Sequence, residues 1–439
     1  MTYNKEEALN SLLEFLKMPS VSATGEGVLE AAEALASLMD KLGFESSVNK
    51  TAGNPVVRGE VNVGSERTVL MYNHYDVQPV DPESEWKFPP FSATIEEGKV
   101  YARGASDNKG TLMARLFGVK RLMDEGKLGV NVKFLFEGEE EIGSPHLADY
   151  VKGVAGELKS DGVLMEGSGL DAKGRPQIIL GVKGILYVQI DAKGGSRDIH
   201  SSMASLVENP AIQLMKFLSS LVDENGKVTI KGFYDDVQKP DPLFDELLSK
   251  LDQDPAELMK SLGVNKLKLN DRESLLRALY AEPTFNVDGF ISGYTGPGSK
   301  TIIPHSASAK IDFRLVPNQD PYKIFEALRE RMQAFGMVAE IRNLGPEYAA
   351  RTSPNSRLVR AMESSARRVY GMDPVIIPTS AGTQPMWVFT RIAGIPDAIS
   401  AIGAGSSGSN AHAPNENISL ENYYKAIDHT VEFLRDFAK

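Results

Sequence analysis

The sequence predicts an α/β domain with a mostly parallel central sheet, interrupted by an inserted α+β domain with an antiparallel sheet. Three observations predict it. Helical periodicity alternates with short, wholly apolar strand-like runs over residues 1–183 and again after 351. From 184 to 351 the strand-like runs alternate apolar and polar residues instead, as in a sheet with one wet face. The chain has 439 residues, more than one ordinary core accommodates.

Taken in order, Ala8, Leu9, Leu12, Leu13 and Leu16 fall on one helical face, and Leu29, Ala32, Leu35, Leu38, Met39 and Leu42 on another. Thr68–Tyr72 and Val132–Phe136 are apolar enough for buried strands, and a helix follows Gly110. Gly184–Asp191 opens the inserted part, followed by a helix from Pro210 to Leu221. Residues 225–285 are polar, with helical fragments. Ala307–Leu315, a helix over 321–335 and a strand over 337–342 complete that part. A helix over 355–370, the strand Val375–Ile377 and a helix over 420–437 return to the first texture.

Composition excludes several classes. Lys and Arg number 48 and Asp and Glu 59, a net charge of −11 with no basic block. Nucleic acid and anionic membrane surfaces are therefore not expected partners. No apolar run reaches the ~18 residues of a spanning helix, and the mixed-charge first twenty residues lack the pattern of a signal peptide. There are no cysteines, so thiol nucleophiles, disulfides and thiolate metal sites are excluded and a cytoplasmic location fits.

The candidate chemistry lies at the ends of the predicted strands, where open α/β sheets collect ligand groups. His74 directly follows the strand 68–72, with Asp76 two residues on. They read as a capped turn, or as a metal ligand and the carboxylate that orients it. Arg103–Gly110 is a polar, glycine-bounded loop; Ser106 or Asp107 either caps the next helix or turns Asp107 toward His74. Glu139, Glu140 and Glu141 follow the strand 132–136, either as a solvated turn or beside cations. Glu166 ends Val163–Glu166, and His412 lies in the loop before the last helix. Such positions, drawn from segments spread over 74–412 and free of cysteine, suit a carboxylate-rich site for two metals. His146, His305 and His429 read as structural.

His-x-Asp at 74–76, Gly-Ala-Ser-Asp-Asn-Lys-Gly at 104–110, Glu-Glu at 139–140 and His-x-Pro-Asn-Glu at 412–416 together resemble the co-catalytic zinc metallopeptidase family. That family includes aminoacylase, carboxypeptidase G, acetylornithine deacetylase, succinyl-diaminopimelate desuccinylase and carnosinase-type dipeptidases. The surroundings of His74 and Asp107 look most like the carnosinase and cytosolic non-specific dipeptidase branch. Two features depart from that branch. Asn108 stands where many members have a second Asp, and Glu166 is the choice more frequent in deacylases and carboxypeptidases.

The resemblance implies a dinuclear metallopeptidase. Two divalent ions, Zn2+ with Mn2+ or Co2+ as alternatives, would be bridged by Asp107. His74 and Glu166 would complete one site, Glu140 and His412 the other. Asp76 would orient His74, and a cis peptide would join Asp107 to Asn108. Glu139 would act as general base toward a metal-bridging hydroxide. His200 would stabilise the oxyanion from the second subunit of a homodimer formed through the inserted lid domain, although alone it reads as a surface residue. Arg314 would hold the substrate carboxylate, with Gly382 and Thr383 in a substrate loop; the bland alternative for Arg314 is a structural ion pair. The implied reaction is amide hydrolysis of dipeptides or of C-terminal residues of short peptides, with N-acyl amino acid deacylation as the alternative.

Overall fold

In the computed structural model, residues 4–238 and 242–439 are described; positions 1–3 and 239–241, the latter in the polar 225–285 segment, lie outside them. An eight-stranded sheet runs in the order Glu45–Asn49, Val56–Val61, Asn131–Glu137, Thr68–His74, Gly162–Met165, Ala398–Ser400, Gln177–Ile179 and Val375–Ile377. The four strands from Asn131–Glu137 to Ala398–Ser400 are mutually parallel, and the pair at the 45–61 edge runs antiparallel. The result is a mixed, mainly parallel sheet.

The sheet is buried on both faces because its central strands carry apolar side chains on both. Val69, Met71, Phe134 and Phe136 join helices Lys5–Leu16, Val28–Leu42, Lys109–Asp124 and Leu420–Phe437 on one side. Leu70, Tyr72, Leu135 and Val163 join Leu147–Val154 and the 386–395 segment on the other. Parallel strands point their carboxyl ends the same way, and cross-strand register sets His74 opposite Glu137. The loops carrying Asp76, Glu139–Glu141 and Glu166 therefore leave from one edge of the sheet.

Arg115, fully buried in the helix Lys109–Asp124, braces that edge. Its guanidinium donates to the carbonyls of Tyr72 (3.0 Å), Leu164 (3.2 Å), Met165 (2.5 Å) and Ala401 (2.7 Å). These are strand-end acceptors that would otherwise be unpaired in the core, a costly condition.

The second sheet is wholly antiparallel, in the order Thr284–Ser292, Ser306–Leu315, Gly184–Lys193 and Ala339–Glu347. Helices Pro210–Ser220 and Pro321–Phe335 cover one face through Leu186, Val188, Phe217, Phe313 and Leu328. Among the described residues, no helix packs on the opposite face, which carries Ile185, Tyr187, Asp312 and Arg314. The edge strand Thr284–Ser292 lies partly in the segment where only helical fragments are expected from sequence. Its alternation is broken by a bulge between Val287 and Gly289, which reverses the phase of the side chains. The helices Pro242–Ser249 and Arg272–Ala281 do not cover this sheet. They pack Phe244, Leu248 and Leu276 against Val375 and Ile377 at the edge of the larger one. No helix among the described residues is long and apolar enough to cross a membrane.

Candidate metal centre

His74 is the last residue of its strand and is fully buried. Its Nε2 lies 3.0 Å from Asp107 Oδ1 and 3.1 Å from Glu166 Oε2. Its Nδ1 lies 3.1 Å from the Asp76 carbonyl oxygen and 3.4 Å from Asp76 Oδ1. The Asp76 carboxylate also accepts from the backbone N–H groups of Glu140 (3.2 Å) and Glu141 (3.0 Å), tying the histidine's loop to the glutamate turn.

Asp107 is shared between two groups. While its Oδ1 faces His74, its Oδ2 lies 3.0 Å from His412 Nε2, and that nitrogen is 3.2 Å from Glu141 Oε2. Two sets of donor atoms result, His74–Asp107–Glu166 and Asp107–Glu141–His412, each close enough to share one ion. The helix after this loop starts at Lys109, with Asn108 as its cap and no side-chain capping bond, so neither Ser106 nor Asp107 caps it. The Asp107–Asn108 peptide is cis.

Glu416 locks the two loops together. Its fully buried carboxylate accepts from Arg103 Nη1 (2.9 Å) and from the backbone N–H groups of Gly104 (2.9 Å), Ser106 (2.8 Å) and Asp107 (2.9 Å). The Pro-Asn-Glu that follows His412 thus places the loop of Asp107.

The three consecutive glutamates require a correction of one position. Sequence reading puts the ligand at Glu140 and the base at Glu139; the structure instead brings Glu141 to His412 and Asp107. Glu140 is half-buried and lies near the charged groups of the cluster. Burial, and then the charges of Glu166, Asp107 and Glu141, hold its pKa well above the carboxylate range, against the opposing pull of His74. Glu139 faces the other way, with Oε1 accepting from Asn54 N–H (3.0 Å) and Oε2 2.8 Å from His146 Nδ1. The cause is local. Glu140–Ile142 form a single helical turn ended by Gly143 at φ 87°, and Glu139 lies outside it. Gln78, which the sequence reading passed over, donates from Nε2 to Glu141 Oε2 (2.8 Å).

The cluster has more negative charge than its own residues neutralise. Burial opposes a charge on His74, but hydrogen bonds to Asp107, Asp76 and Glu166 outweigh it and raise its pKa. His412 is pushed up to about 10 by Asp107 and Glu141. Glu141 Oε1 is buried with no hydrogen-bond partner among the described residues. Carboxylates that hold protons on neighbouring imidazoles, and leave an acceptor unpaired, form the donor set of hard or borderline divalent cations. The residues fit metal ions.

The smaller sheet contributes a second set. Arg314 Nη1 donates to Thr383 Oγ1 (2.8 Å), so the uncovered face of the smaller sheet meets the 380–384 loop of the larger one. Gly382 accepts at its carbonyl from Lys183 N–H (3.0 Å), and its own N–H donates to Ser380 Oγ (3.2 Å). His200 is exposed and is not brought to the cluster within this chain. Its Nδ1 accepts from Ser202 N–H (3.2 Å) and lies 2.9 Å from Ser202 Oγ. Because a backbone N–H can only donate, Nδ1 is the bare nitrogen, and the neutral ring carries its proton on Nε2.

Residues 70–436 match the peptidase family M20/M25/M40. The chain belongs to this family. Its structure superposes on the M20 family metallo-carboxypeptidase Sso-CP2 from Sulfolobus solfataricus with a TM-score of 0.95 and 59% identity, covering 98% of this chain and 99% of that one. The dipeptidase Dug1p of Saccharomyces cerevisiae gives a TM-score of 0.82 at 25% identity over 99% and 96% of the two chains. In sequence, the Cys-Gly metallodipeptidase of Schizosaccharomyces pombe is 28% identical over 99% of this chain and 96% of its own length. The Beta-Ala-His dipeptidase of Rattus norvegicus is 29% identical over 88% and 80%. This M20 protein is an enzyme, a metallopeptidase of the carnosinase and dipeptidase branch, as its motifs imply.

Proposed function

We propose that the enzyme hydrolyses the amide bond preceding a free C-terminal residue in dipeptides and short peptides. The observation that carries the reading is Arg314, a guanidinium presented from the uncovered sheet face onto Thr383. A planar fork of donors suits bidentate binding of a carboxylate, and Thr383 with Gly382 would frame the same group. The similarity to a carboxypeptidase and to dipeptidases supports it.

His74, Asp107 and Glu166 would hold one divalent ion and Asp107, Glu141 and His412 a second, zinc being the first choice for histidine with carboxylate. Such ions supply Lewis acidity, polarising a carbonyl and acidifying a water. Asp76 fixes the ring of His74 through Nδ1 and so aims Nε2 at the centre. Glu140, not Glu139, takes the proton from the water and returns it to the leaving amine. His200 offers Nε2–H to the developing oxyanion.

His200 would do so in the partner subunit of a homodimer, with residues 184–351 as the lid and dimerisation domain. The edge strand Thr284–Ser292 supports this, because Val287, Phe290 and Ile291 stand exposed on it. Peptides of this size and the absence of cysteine are consistent with a cytoplasmic enzyme.

The test is a substrate panel run with Zn2+, Mn2+ and Co2+ separately: dipeptides, their C-terminal amides, and N-acetyl and N-succinyl amino acids. Free dipeptides are expected to be cleaved and their amides to lose at least tenfold in kcat/KM. Cleavage of the acyl amino acids alone would reject the peptidase substrate in favour of a deacylase.

A further inference from the structure

We propose that Glu139 is a positioning residue, which with His146 and the 51–55 loop decides which two of three adjacent glutamates face the metals. The inference rests on the reading above, in which Glu140 is the base and Glu141 a ligand.

The glutamate turn is held from two sides. On the inner side, Asp76 accepts the N–H groups of Glu140 and Glu141. On the outer side, the Glu139 carboxylate is only 5% exposed and uses both oxygens, one on Asn54 N–H and one on His146 Nδ1. The loop answers in kind, as Asn54 Nδ2 donates to the carbonyl of Gly138 (2.8 Å). Thr51 shapes that loop by accepting from Gly53 N–H (2.9 Å) and donating to the Asn54 carbonyl (2.7 Å). Any side chain at Gly53 would collide with the Glu139 carboxylate and the His146 ring. Tyr75, next to His74 and Asp76, closes the arrangement by donating to the Pro55 carbonyl (2.6 Å).

Three like-charged side chains in a row have no intrinsic reason to sort two inward and one outward. The outward partner supplies it. Glu139 finds a backbone donor and an imidazole on the outside, so the turn has one low-energy orientation, and Glu140 and Glu141 follow into the cluster. Outer partners of this type typically govern metal affinity by ~10–100-fold.

The test uses full-length protein stripped with a chelator and titrated with Zn2+, and in parallel with Co2+ while its visible absorption is recorded. Glu139→Ala is expected to bind the second equivalent ~10–100-fold more weakly and to alter the Co2+ spectrum. Glu139→Gln should rescue both, because its amide oxygen still accepts from Asn54 and its amide N–H can meet the other tautomer of His146. His146→Ala, at a half-exposed residue that the fold tolerates, should give a smaller loss in the same direction. That variant carries the test if Glu139→Ala fails to fold. Wild-type affinity and spectrum in both alanine variants would overturn the proposal. So would loss of turnover in Glu139→Gln with metal binding intact, which would return Glu139 to the role of base. Failure of the underlying reading has a different signature: turnover retained in Glu140→Gln, whatever the metal titrations give.

Discussion

The two halves of the candidate centre share Asp107 but are built differently. His74 is the end of a central strand, its side chain has no solvent exposure, and Asp76 holds its ring from behind. His412 belongs to a loop, its side chain is 54% exposed, and its backbone sits in the left-handed region at φ 62°, which costs a non-glycine residue energy. The Glu416 anchor, with Asn415 bonded to Lys87 N–H and the Glu85 carbonyl, gives that loop its place. One half is a product of the sheet and the other of a loop pinned across it. A pre-formed set of donors binds more tightly than one that must be ordered, so the two metals should differ in affinity.

The largest effect expected is common to both halves. Glu140 faces carboxylates from each. Glu140→Gln should therefore keep both metals, measured by elemental analysis, while turnover falls ~10²–10⁴-fold or more. Retained turnover would break the symmetry of the comparison by removing the one group both halves serve.

A chelator sharpens the contrast. Zn2+ should leave in two phases, and His412→Ala should abolish the faster phase while one equivalent stays bound. His74→Ala should weaken the slower, tighter equivalent. A single phase for the native protein, or the reverse assignment in the variants, would mean that strand placement gives no advantage over the loop.

The last contrast, read per pH unit, compares two buried histidines. His74 lies among carboxylates, whereas His429 lies in the helix Leu420–Phe437 with Nε2 3.1 Å from Ser365 Oγ. Burial, reinforced by Arg115 and Arg368, lowers the His429 pKa from 6.5 to about 3. Between those values the unfolded chain binds a proton that the folded protein refuses. Stability should therefore fall as pH drops from 6.5 toward 3, by about 1.4 kcal/mol per pH unit at most. His429→Gln should flatten that slope in urea unfolding followed against pH; an unchanged slope would reject the burial argument.

Much of this was legible in advance. Strand-end positions of His74 and Glu166 follow from apolar runs that must be buried and from the direction parallel strands share, whereas Asp107 follows Lys99–Tyr101, a strand of a separate antiparallel sheet. The register among Glu139, Glu140 and Glu141 was not legible, because adjacent identical residues carry no periodicity. It depended on Asp76, Asn54 and His146, which come from other segments. Glu416 belongs to the His-x-Pro-Asn-Glu motif, but its grip on the 104–107 loop cannot be read from a spacing of over three hundred residues. The strand Thr284–Ser292 was hidden by its bulge.

The sequence by itself determined the two textures of chain, the absence of thiol chemistry and the set of acids and histidines from which a metal site could be made. Local pattern suffices there, since burial and periodicity act over a few residues. Only the tertiary structure decided that Asp107 lies between two groups, that Glu141 rather than Glu140 reaches His412, and that Glu139 turns outward. Those outcomes depend on hydrogen bonds between loops distant in sequence, and such contacts exist only once the sheet has brought its strand ends together.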